Sequence, residues 1–131
     1  MNESGIISDY LAQKFHPASP KQSLPLDVVD GIIEWFENVR IRPQMFFGDV
    51  TYQSIGNGLY WFHMAFRHLS FEIDPKFDVG KARGWKSNAM GYLHDFQRKG
   101  LSEEEMADEL LVIEIESWKR LREKLLATPK E

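Results

Sequence analysis

The chain has 131 residues, no cysteine and a formal charge of −4, with 43% hydrophobic against 27% charged side chains. This is ordinary globular composition, enough for one domain with a core of its own. The missing cysteines exclude disulfides, thiolate metal sites and thiol catalysis. The acidic balance argues against non-specific nucleic-acid binding, and no apolar run approaches the roughly 20 residues of a membrane helix.

The opening Met1-Asn2-Glu3-Ser4-Gly5 carries no basic region leading into an apolar run, so no secretory signal is expected and the chain reads as cytoplasmic. After Ser4, a candidate N-cap, the residues Ile6, Ile7, Tyr10, Leu11 and Phe15 recur at helical spacing. Residues 16–25 then hold three prolines and read as a connector.

The clearest helical stripe follows: Val28, Val29, Ile32, Ile33, Phe36 and Val39, with Asp27 as candidate cap and Asp30, Glu34 and Glu37 largely off the stripe. Pro43 stops it and pushes Arg42 out of helical geometry. Met45-Phe46-Phe47-Gly48 reads either as a short strand or as an apolar turn, which leaves open a small two-stranded element around Met45 to Tyr52. A third helix is expected from Ser54 or Asn57 through Leu59, Phe62, Phe66 and Leu69 up to Asp74-Pro75, and its aromatic girth marks it as central.

Gly80 and Gly84 leave Phe77 to Gly84 ambiguous, and the spacing Trp85, Ala89, Leu93, Phe96 predicts a fourth helix stopped by Gly100. Ser102 and Glu105 form a capping box for a long last helix to about Leu126. About five helices joined by short loops imply a single all-α bundle domain spanning residues 1–131.

The segment Val39-Arg40-Ile41-Arg42-Pro43-Gln44-Met45-Phe46-Phe47-Gly48-Asp49 resembles the Arg-Pro-Gly-Met-Tyr-Ile-Gly stretch near the start of the gyrase B ATPase domain. The resemblance extends to a preceding helix and to His63-Met64-Ala65-Phe66 after it, and covers about a tenth of the chain. In those ATPases the next helix supplies a water-activating glutamate and a magnesium-holding asparagine. Here Arg67 and Phe71 fall at those positions, Gln44 replaces the motif's glycine, and the later Asp-x-Gly-x-Gly is absent. ATP hydrolysis needs a carboxylate on the water and glycines around the phosphates, so the resemblance implies an architecture without that activity.

The same opening, Arg42 to Gly48, with Arg83-Gly84-Trp85 and the closing segment Ser102 to Leu126, also resembles small bacterial proteins of similar length. Those are similar in size and style to immunity proteins of polymorphic-toxin and contact-dependent inhibition systems. That resemblance implies a non-enzymatic inhibitor that occludes a protein toxin, a basic nuclease-type one among the candidates, and needs no cofactor. On this reading Asp30, Glu34, Glu37, Glu103, Glu104 and Asp108 face the partner, charge complementarity supplying rate and specificity.

The turn residues Arg40, Arg42, Pro43, Met45 and Gly48 are read as structural or anion-binding, with an ion pair to the body as the simpler role for the arginines. The alternative function is a nucleotide- or small-molecule-binding module in which Arg40 and Arg42 touch phosphate. No metal site is expected: His63 and His68 lie five apart, roughly 140° around a helix. Glu72 with Asp74 is the best carboxylate pair, and a solvated helix end explains it more simply. Ser54 and Ser117 have no His-Asp context to activate them.

Overall fold

The structure, a computed structural model, describes residues 22–71, 79–88 and 91–127. The N-terminal helix expected at Ile6 to Phe15, most of the proline connector and the Glu72/Asp74 pair lie outside the described residues. What is described is all-α: six helices, with no strand beyond two isolated bridges, Gln22 to Phe71 and Asn88 to Gly91. They are α1 (Leu26–Ile41), α2 (Gln44–Phe47), α3 (Tyr52–His68), α4 (Val79–Ala82), α5 (Leu93–Arg98) and α6 (Glu103–Ala127).

Three long helices make the body. α1 and α3 both pack on α6, and the ion pairs Arg122–Asp30 and Arg40–Asp108 show that α1 and α6 run antiparallel. Most of the stripe expected on α1 is buried, through Val29, Ile33, Phe36 and Val39, but Val28, expected on that stripe, is 40% exposed on the helix's outer side. α6 meets it with Met106, Leu110, Leu111, Ile115, Trp118 and Leu121. Trp118 is the largest fully buried side chain, with the Phe62 and Phe66 rings of α3 at 6.1 and 5.8 Å. Burying such aliphatic and aromatic surface supplies about 25 cal/mol per Å² and drives the bundle together.

Several boundaries differ from the sequence reading for local reasons. α1 begins at Leu26, with Pro25 rather than Asp27 at the cap and no side chain capping it. The Pro25 carbonyl accepts the first backbone bonds of the helix, from the Val28 and Val29 N–H groups, each at 3.1 Å. The two-stranded element does not form. Pro43 is fixed at φ −62°, ψ −27°, already helical, so Gln44–Phe47 coils into one turn instead. Gly48 ends that turn at φ +69°, a conformation that favours glycine.

α3 starts one turn earlier than expected, capped by Thr51. The Thr51 Oγ1 accepts the Ser54 N–H at 3.0 Å and the Thr51 N–H donates to Ser54 Oγ at 3.0 Å. It also ends earlier, at His68, because Ser70 turns left-handed at φ +61°. The fourth helix is shorter than its apolar spacing predicts. Gly91 at φ +77° interrupts the path from Trp85, and among the described residues of that stretch only Leu93–Arg98 is helical. The Ser102 capping box forms as expected, Ser102 N–H to Glu105 Oε1 at 2.9 Å and Glu105 N–H to Ser102 Oγ at 3.1 Å. Those bonds hold the Glu105 carboxyl below its usual pKa, the Ser102 backbone N–H contributing most.

Candidate functional site

The seam between α1 and α6 brings together four of the sequence-predicted site residues, Asp30, Glu37, Arg40 and Asp108. Three ion pairs cross it. Arg40 grips Asp108 with both arms of its fork, Nε to Oδ1 at 2.8 Å and Nη2 to Oδ2 at 3.1 Å. Lys119 Nζ stands 3.2 Å from Glu37, and Arg122 donates to Asp30. An open cavity of about 550 Å³ lies along this seam, lined by Glu37, Arg40, Ile41, Asp108, Ile115 and Lys119. The Asp108 hydrogen bond raises the Arg40 pKa above the ordinary arginine value, against a smaller opposing effect of burial.

Asp30, Glu37 and Asp108 are therefore not open carboxylates, since each is neutralised from within the chain. Each pair is about half-exposed, and exposed pairs are worth about 0–1 kcal/mol. Glu103 is also engaged: its Oε2 accepts the Tyr52 N–H at 3.0 Å, tying the starts of α6 and α3 together. Glu34 and Glu104 are exposed and make no ion pair or hydrogen bond among the described residues.

At the turn, Arg42 is exposed, outside helical geometry at φ −135°, ψ 65°, and makes no ion pair among the described residues, while Met45 is 72% exposed. Pro43 and Gly48 bracket α2. A nucleotide held by Arg40 and Arg42 together would need Arg40 released from Asp108.

Two polar clusters have partners that the sequence reading does not name, although an ion pair is its simpler role for Arg83. Glu114, buried in α6, accepts from Trp118 Nε1 at 2.7 Å and from His63 Nε2 at 2.6 Å. Its sequence signal was the Glu114/Trp118 spacing of one helical turn. At the α4 end, Arg83 reaches Glu109 and Glu116, and Trp85 Nε1 donates to Glu109 Oε2 at 2.7 Å. The Glu109 hydrogen bond raises the Arg83 pKa. Lys99 lies 4.6 Å over the Trp85 ring. Among the described residues, no three His, Asp or Glu side chains gather as a metal site.

A second surface, on the other flank of α1, is apolar. Trp35 stacks on Phe62 at 6.0 Å and meets Phe46 of α2 edge-on at 5.8 Å, yet stays 42% exposed. Met45 and Phe46 extend this surface on α2. Trp61, 68% exposed, sits one turn from Gly58, on which the Phe47 ring rests, so it lies on the α2 side of α3. No helix among the described residues is long and apolar enough to cross a membrane. Comparison of the whole chain with protein-family models, curated proteins and solved structures finds no significant match.

Proposed function

We propose that this chain is a non-enzymatic binding protein of the bacterial cytoplasm, an immunity protein that neutralises a cognate toxin by covering its active site. The observation that supports this reading is the exposed aromatic surface of Trp35, Phe46 and Trp61 with Met45 beside them. Large apolar side chains held in water on a folded domain mark interaction surfaces, and tryptophan is among the residues that carry most binding energy in protein interfaces. The Trp35 ring is fixed from behind by Phe62 and Phe46, so little rotamer entropy is lost when a partner covers it.

The direct experiment is co-expression with the protein encoded immediately upstream. The native chain rescues growth and co-purifies with that protein, and Trp35→Ala with Trp61→Ala abolishes both while the double variant stays folded. Absence of rescue and of a complex for the native chain removes the reading.

A further inference from the structure

We infer that the outward stripe of α1, Asp27, Val28, Gly31, Glu34, Trp35 and Asn38, is the docking line for a basic, apolar-faced helix of a partner protein. The inference rests on the binding-protein reading above and names the face and the chemistry it accepts. At about 100° per residue these six positions fall on one side of the helix, and all six are exposed. They recur three, four and seven apart, the spacing by which one helix meets another.

Two observations single this stripe out. The first is Gly31. A glycine inside a helix costs about 0.5–1 kcal/mol relative to alanine, yet a Cβ at Gly31 would meet nothing within 4 Å. Nothing in the fold requires it. Gly58 is different, since there a Cβ would run into the Phe47 ring. What Gly31 does provide is bare backbone between the exposed Val28 and Trp35, where another helix can approach closely.

The second observation is how α1 distributes its acids. Those turned toward α6, Asp30 and Glu37, are matched by Arg122 and Lys119. Those on the outward stripe, Asp27 and Glu34, have no ion-pair partner among the described residues, and no basic residue lies on that stripe. A second copy of this chain docking there would bring four carboxylates together. A partner carrying lysine or arginine beside an apolar ridge would match both the charge and the bare backbone at Gly31.

The test titrates the isotope-labelled full chain with a synthetic Leu/Lys amphipathic peptide roughly 18 residues long, enough to hold a helix. A Leu/Glu peptide of the same pattern is the control. The Lys peptide is expected to shift the amides of residues 27–38 and the Glu peptide to leave them unmoved. Gly31→Ala should raise the thermal midpoint of the free chain yet weaken the Lys peptide by about tenfold, as should Glu34→Lys without the gain in stability. Equal binding of both peptides, no binding, shifts confined to α3, or an unchanged affinity in Gly31→Ala each overturns the inference. Co-expression separates it from the immunity reading. If the native chain and both variants protect alike, immunity stands and this docking line falls. If the native chain does not protect, immunity falls and the titration still decides the stripe.

Discussion

At the scale of single residues, Glu114 ties α3 to α6. It is 7% exposed, and one oxygen serves both His63 and Trp118. Glu114→Leu would leave the buried indole N–H of Trp118 without an acceptor, a loss of about 1–3 kcal/mol, whereas Glu114→Gln retains an acceptor and should lose less. Urea unfolding of the two variants checks the order. Asp95 gives a pH signature. Its buried carboxylate accepts the Lys86 N–H at 2.9 Å and the Arg98 Nη2 at 2.8 Å, with Lys99 Nζ at 3.4 Å. The Lys86 backbone N–H chiefly, then Arg98, lowers its pKa to about 2. A carboxyl depressed on folding stabilises fully above the unfolded value of about 3.9 and loses that contribution as pH falls through its folded value. Stability should therefore decline between about pH 4 and about pH 2, and Asp95→Asn should flatten that part of the profile in denaturant titrations. Of these partnerships, only the Glu114/Trp118 spacing and an ion pair from Arg40 to the body were legible in the sequence, and the partner of Arg40 was not. The Arg40–Asp108 pair spans 68 positions, and only the packing of α1 on α6 brings it together.

At the scale of elements, legibility followed how local the determining signal is. α1 and α6 were readable because their apolar period runs for many turns. The Ser102 box was readable because both halves lie within four residues. Ser102→Ala should accordingly cost about 1 kcal/mol, by thermal melting. The path from Trp85 to Leu93 was not readable, since its apolar spacing suits a helix but Gly91 adopts a left-handed φ. The contact of α2 with α3 depends on Gly58, where the Phe47 ring fills the space a Cβ would take. Gly58→Ala should destabilise by about 1–3 kcal/mol, the usual effect of overpacking. Adding Phe47→Leu should recover most of it in the same melts.

At the scale of the whole molecule, the two flanks of α1 divide the work. One flank packs on α6 through apolar side chains and carries three half-exposed ion pairs, so the acids at Asp30, Glu37 and Asp108 are engaged within the chain. The other flank, with α2 and α3, holds the aromatic surface. The all-α class was legible from the sequence, but this division was not, because periodicity shows that a residue leaves the core without showing which neighbour it meets. The division predicts that Arg40→Ala, which breaks a half-exposed pair, changes stability by no more than about 1 kcal/mol and leaves partner binding intact. The most direct measurement is calorimetric titration of the purified upstream-encoded protein with this chain, followed by assay of that protein's activity in the complex. A stoichiometric complex in which the activity is abolished, and which Trp35→Ala weakens, is the predicted result. No complex, or a complex that leaves the activity whole, would contradict the account.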